Sequence, residues 1–190
     1  MRSRADLRLI NRLMGNYRWF ERVLEGSGRL RSGFRVVEIG AGDGFLAKRL
    51  CRRFPGLRYD AVDLAPAPED LPAACHWHQA DLFEVLPALR GDALIANLFL
   101  HHFDDQSLRR IGTAIEPFPL LAFNEPWRRS RFHWAGYALR VLGINRVTRH
   151  DLHISINAGF RERELPILLG LRGGDVSGSL LGGYRWLRKK

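Results

Sequence analysis

Val36-Val37-Glu38-Ile39-Gly40-Ala41-Gly42-Asp43-Gly44 decides how this chain is read. An apolar run carries an acid near its end, glycine then recurs at every second position, and Phe45-Leu46-Ala47-Lys48-Arg49-Leu50 opens a helical pattern. A buried strand, a tight turn and a helix start in that order bring backbone close to a bound nucleotide. Glu38 sets the kind of ligand. It stands two residues before the first glycine, where a pyrophosphate would meet a like charge in a partly desolvated cleft. A ligand carrying positive charge, as an amino group and a sulfonium do, gains there instead.

Outward from this stretch, apolar strands alternate with helical segments. Strands are predicted at Phe34–Glu38, Leu57–Asp63, Cys75–Gln79, Asp92–Asn97 and Leu120–Asn124, with helices at Gly44–Phe54 and Asp104–Ile115. The rhythm predicts an α/β fold, a Rossmann-like doubly wound and mostly parallel sheet whose ligands lie at the carboxyl ends of the strands. Helical segments are expected at Arg131–Leu142, Asp151–Asn157 and Glu162–Leu169. Asp175–Ser179 and Gly183–Arg188 read as a C-terminal antiparallel strand pair. At the other end, Leu7, Ile10, Leu13, Met14, Tyr17, Phe20 and Leu24 recur at helical spacing, which predicts one amphipathic helix over Asp6–Glu25, stopped by Gly26-Ser27-Gly28. Residues 1–28 are thus expected to pack on a domain formed by 29–190. A basic amphipathic helix can also make weak contact with an anionic membrane surface, but its apolar stripe needs burial in any case.

The chain has 190 residues, enough for one domain with a sizeable core, and its 46% hydrophobic content excludes wholesale disorder. Its 2 cysteines, Cys51 and Cys75, build neither a disulfide framework nor a zinc pair, so a reducing compartment fits. No apolar run approaches the ~18–20 residues of a membrane span, and the first residues lack the apolar core of an export signal. A cytoplasmic location is expected. The net charge of +10 invites a nucleic-acid partner. Arginine supplies nearly all of it, however, and is spread along the chain rather than gathered in a block. No specific nucleic acid is therefore expected.

Glu38, Asp63 and Asp81 follow or end three successive strands, so a doubly wound sheet sets them along one rim of a cleft. Asp63 lies nineteen residues past Gly44, where an acid can accept both hydroxyls of a ribose. Asp81 can accept from the exocyclic amine of adenine.

Val36–Gly44, Tyr59–Leu64, Gln79–Leu82 and Leu94–Phe103 resemble the successive motifs of the class I S-adenosylmethionine-dependent methyltransferases, and the match spans Phe34 to Glu125. The resemblance implies S-adenosylmethionine as cofactor. It implies that Glu38, Gly40, Gly42 and Gly44 surround the methionine part, that Asp63 binds ribose and Asp81 adenine, and that Asn97-Leu98 passes beside the sulfonium. Ala41, Leu64 and Leu82 are the neighbouring cofactor contacts it implies. The segment Asn97-Leu98-Phe99-Leu100-His101-His102-Phe103 is similar to the one that follows the fourth strand in small-molecule methyltransferases of quinone and polyketide pathways. One departure is Glu116-Pro117-Phe118-Pro119, where such enzymes often have a Pro-Gly-Gly turn. The Asn/Asp-Pro-Pro-aromatic tetrad of adenine-amino methylating enzymes is absent, and neither cysteine stands where a base-attacking thiolate is needed.

Methyl transfer to a hydroxyl needs an acceptor held in line and its proton removed. His101 and His102 are the candidate bases, and His102 also a candidate for the acceptor wall. Glu125 is expected at the cleft rim and Arg128 at an acceptor carboxylate or carbonyl, with a loop ion pair as the plainer role of Arg128. Phe132, Trp134 and Tyr137 give the next helix an aromatic character that suits a flat acceptor. His76-Trp77-His78 puts two imidazoles on one face of a strand, but the sequence identifies no third ligand and no metal is expected. The expected function is methylation of a small, aromatic or polyketide-like acceptor, at oxygen ahead of carbon or nitrogen. The alternative is an RNA methyltransferase or RNA-binding protein using the basic surface.

Overall fold

The computed structural model describes residues 2–129 and 157–190. Its seven-stranded sheet has the order β3-β2-β1-β4-β5-β7-β6. The strands are β1 (Arg35–Ile39), β2 (Arg58–Asp63), β3 (Cys75–Gln79), β4 (Ala93–Asn97), β5 (Leu120–Pro126), β6 (Asp175–Gly178) and β7 (Gly183–Lys189). The first five run parallel, whereas β7 pairs antiparallel with β5 and β6 with β7. The expected mostly parallel sheet with a terminal antiparallel pair is therefore present. Chain order reverses between β1 and β4, which opens a crevice beyond their carboxyl ends.

Alternating residues of the central strands enter two separate cores. Val36, Tyr59, Ala61 and Ile95 face α2 (Asn16–Glu25) and α3 (Phe45–Arg53), where Phe20, Leu24, Leu46 and Leu50 are buried. Val37, Ile39, Val62 and Leu94 face α4 (Leu82–Val85) and α5 (Asp105–Ile115), meeting Leu82, Leu108 and Ile111. The short α6 (Glu164–Leu168) adds Leu165 to this second core. The period-2 alternation thus assigns each strand residue to one helical layer.

The single N-terminal helix expected over Asp6–Glu25 is two helices, α1 (Arg2–Leu13) and α2. Gly15 separates them with φ +68°, a left-handed conformation that a helix cannot contain. The apolar stripe is consequently split: Tyr17, Phe20 and Leu24 are buried, while Leu13 is 44% exposed. The helix expected over Arg131–Leu142 lies outside the described residues, as does nearly all of Asp151–Asn157. Among the described residues, no helix is long and apolar enough to cross a membrane.

Candidate functional site

The turn after β1 is built on backbone that side chains disfavour. Gly40, Gly42 and Gly44 have φ of +69°, +62° and +68°. Each is needed for a different reason. A Cβ on Gly40 would strike the Phe99 ring at 2.1 Å, so this glycine lets an aromatic ring lie on the main chain. A Cβ on Gly42 would meet nothing within 4 Å, so its backbone faces open space. Gly44 is the left-handed residue from which α3 departs.

Asp63, at the end of β2, holds this turn in place. Its Oδ2 accepts from the Gly42 N–H at 2.7 Å and its Oδ1 from the Ala65 N–H at 2.9 Å. The Gly40 and Ala41 N–H groups donate to the Val62 carbonyl at 2.9 and 3.1 Å. Leu64, beside Asp63, is 73% exposed. The Ala80 N–H donates to the Asp63 carbonyl, which brings Asp81 alongside. Asp81 caps α4 by accepting from the Phe83 N–H at 2.8 Å, and Leu82 is buried behind it.

Glu38 lies beneath the turn on the α2–α3 face, 2% exposed. The Tyr59 hydroxyl donates to its Oε2 at 2.8 Å. Among the described residues, no cationic side chain pairs with it. Burial, reinforced by the nearby Asp63 and Asp43, pushes its carboxyl up to about 8, while the Tyr59 hydrogen bond pulls the other way. A buried acid without a counter-ion, below a turn that opens at Gly42, suits a cationic ligand.

Across the crevice, β4 and β5 end in a chain of side-chain amides. Asn124 donates to Asn97 Oδ1, Asn97 donates to Asn11 Oδ1, and Asn16 donates to the same Asn11 oxygen, each at 2.9 Å. Asn11 belongs to α1, and Arg8 on the same helix pairs with Asp43 of the glycine turn at 3.0 Å. Helix α1 therefore spans both banks of the crevice. Sequence alone gives no role to Asn11 and Asn16, because an amide in a helix carries no signal until its partner is known.

After Asn97 the chain turns through Leu98, whose φ of +55° is strained for a branched side chain. Glu125 holds that turn. It is fully buried and accepts from the N–H groups of Phe99 and Leu100 at 3.1 and 2.9 Å and from His101 Nδ1 at 2.8 Å. The expected rim position of Glu125 is corrected: side chains alternate along β5, and this carboxylate points into the protein. His101 is buried with it, and its Nε2 has no hydrogen-bond partner among the described residues. His102 is exposed, its ring 4.1 Å from that of His101. Desolvation, then His101, holds the His102 imidazole below its ordinary value. Arg128 forms an ion pair with Glu164 of α6, the plainer of its two expected roles. Phe132, Trp134 and Tyr137 lie outside the described residues.

No family model matches this chain. It is 34% identical to an uncharacterized methyltransferase of Mycobacterium tuberculosis over 124 residues, 57% of this chain and 63% of the relative. It is 32% identical to the mitomycin biosynthesis 6-O-methyltransferase of Streptomyces lavendulae over 123 residues, 57% of this chain and 35% of that enzyme. The chain thus spans less than two thirds of these curated relatives. In structure, it is similar to human N-acetylserotonin methyltransferase in complex with SAM (TM-score 0.61, 17% identity, 97% of this chain and 55% of that one). It is also similar to an O-methyltransferase family protein of Burkholderia thailandensis (TM-score 0.58, 15% identity, 100% of this chain and 61% of that one).

Proposed function

We propose that this chain, which has the class I S-adenosylmethionine-dependent methyltransferase fold, transfers a methyl group from S-adenosylmethionine to an oxygen of a small, aromatic or polyketide-like molecule. The observation that carries the reading is Glu38, buried beneath a glycine turn that opens at Gly42 and, among the described residues, without a cationic partner. The relative named as a mitomycin biosynthesis 6-O-methyltransferase and the fold shared with an enzyme complexed with SAM support the same reading.

The residues present fit the cofactor. Glu38 would balance its positive charge from below the turn, Gly40, Ala41, Gly42 and Gly44 would lie along its methionine part, and Asp63 would take the ribose hydroxyls. Leu64, Asp81 and Leu82 would border the adenine. Asn97 and Leu98 would stand beside the sulfonium, which when bound supplies an already activated methyl group. The chain then has to position an acceptor oxygen in line and remove its proton. His102 is the group assigned to accept that proton: it is exposed on the turn that follows β4, and its lowered basicity favours the neutral imidazole that a base needs. Glu125 fixes the ring of His101 below it, which positions the 98–102 turn.

Incubating the purified chain with methyl-labelled S-adenosylmethionine and three acceptor pools (phenolic small molecules, a small-molecule cell extract, total RNA) tests the proposal. Label is expected in the small-molecule pools. Transfer to RNA alone, or no binding of the cofactor by calorimetry, would overturn it.

A further inference from the structure

We propose that Asp60, His76 and His78 form a binding site for a zinc ion on the edge of the sheet, separate from the cofactor crevice. The sequence offered two histidines and no third ligand. Register supplies one: Asp60 of β2 is the direct partner of His76 on β3, and His78 lies two residues further along the same face. Three donor atoms converge there. His76 Nδ1 and His78 Nε2 are 3.0 Å apart, His78 Nε2 and Asp60 Oδ1 2.9 Å, and His76 Nδ1 and Asp60 Oδ1 3.5 Å. A tetrahedral zinc ion with bonds of about 2.0–2.1 Å holds its ligands about 3.3 Å from one another. The triangle therefore already has the size of one face of that coordination shell, and its imidazole and carboxylate donors are those zinc takes.

The surroundings suit a metal. Asp60 and His78 are largely buried, with side chains 15% and 21% exposed, so two ligands are held by packing. His76 is 73% exposed, which leaves the outer side open for water as the fourth ligand. Arg35 lies 3.8 Å from Asp60 Oδ2 and orients the carboxylate so that Oδ1 faces the histidines. The arginine is also a nearby positive charge that weakens the site.

The site is not part of the methyl-transfer centre. Asp60 lies three residues before Asp63, roughly 10 Å along the strand, and an odd spacing places the two carboxylates on opposite faces of the sheet. β3 is the sheet edge. A zinc ion there would clip β2 to β3. Cys51 and Cys75 are not ligands: Cys75 alternates with His76 and packs with Cys51 against the α2–α3 core.

The test is a Zn2+ titration of the metal-stripped 190-residue chain, read by competition with a chromophoric chelator and by the melting temperature. The wild type is expected to take up one more equivalent of zinc than His76→Gln or His78→Gln, or to bind it at least about tenfold more tightly. Zinc should raise the melting temperature of the wild type and not of the variants. Cys51→Ser/Cys75→Ser should bind as the wild type does. His76 is exposed, so its variant folds and a null result reads on the site itself. Equal zinc uptake by wild type and both histidine variants, or loss of the site in the cysteine variant, would overturn the proposal. Neither outcome depends on the methyl-transfer reading.

Discussion

Glu125 accepts a hydrogen bond from His101 Nδ1 at 2.8 Å in a place where both side chains are buried, and the same carboxylate holds two backbone N–H groups of the turn after β4. One side chain thus sets the ring orientation of a histidine and the path of the main chain beside it. Replacing Glu125 by alanine strips an acceptor from several buried donors at once. The expected cost is ~3–5 kcal/mol in urea denaturation, with Glu125→Gln losing less because it keeps one oxygen. A loss below about 1 kcal/mol for Glu125→Ala would mean the turn is held by something else.

Glu38 makes stability depend on pH. Its carboxyl is raised from 4.5 to about 8 by burial. Between those values the folded chain holds a proton that the unfolded chain has released, so stability falls as pH rises through this window, by ~1.4 kcal/mol per pH unit. Below the unfolded value there is no effect. Glu38→Gln, which keeps an acceptor for the Tyr59 hydroxyl, is expected to match the wild type at pH 5 and to be more stable by a few kcal/mol at pH 8.5. Equal slopes of stability against pH in the two proteins would remove the argument.

The same group predicts proton release on ligand binding. A cation placed over Glu38 lowers its carboxyl, and the proton held at pH 7 leaves. Calorimetry of S-adenosylmethionine binding in buffers of different ionisation enthalpy should show a net release that Glu38→Gln abolishes. A buffer-independent heat in the wild type counts against the placement of positive charge there.

Asp63 both pins the glycine turn and is assigned to the ribose. Asp63→Ala is expected to weaken S-adenosylmethionine binding ~10–100-fold, from charge-assisted bonds of ~1.5–3 kcal/mol. Unchanged affinity would reject the ribose assignment.

His102 and His101 should separate in kinetics. His102→Ala is expected to lower kcat ~100-fold with little change in KM. In the wild type, kcat should drop only on the acid side of the ordinary histidine range, because the His102 imidazole is held below it. His101→Ala, which strips the buried Glu125 of its side-chain donor and leaves it only backbone N–H groups, should be read first as a loss of stability. Full activity in both variants would place the base elsewhere or show that none is used.

Several elements were legible from residue order because their causes are local. Cys75–Gln79 is the strand that alternation predicts, and α5 starts after Asp104, which caps it by accepting from the Ser107 N–H at 2.7 Å. The strand–helix rhythm was enough to give the parallel sheet, and β-branched and apolar runs marked its buried strands. The break at Gly15 escaped the periodicity argument, because one left-handed residue shifts the phase of a helix without interrupting its apolar spacing. Glu125 was misplaced for a related reason: nothing in Asn124-Glu125-Pro126 says which face of β5 the acid takes until the neighbouring turn is seen.

What residue order determined by itself was the backbone chemistry of the crevice: glycines where the main chain must turn left-handed, and acids at the ends of successive strands. These follow from steric limits and strand period, which act within a few residues. Tertiary structure alone decided which polar groups meet. Asn11 reaches Asn97 across 86 positions, Glu38 meets the Tyr59 hydroxyl, and Asp60 completes a triangle with two histidines from the next strand. A hydrogen bond or a ligand set depends on separations of a few ångströms between groups far apart in the chain, and only the register and layering of the sheet fix those.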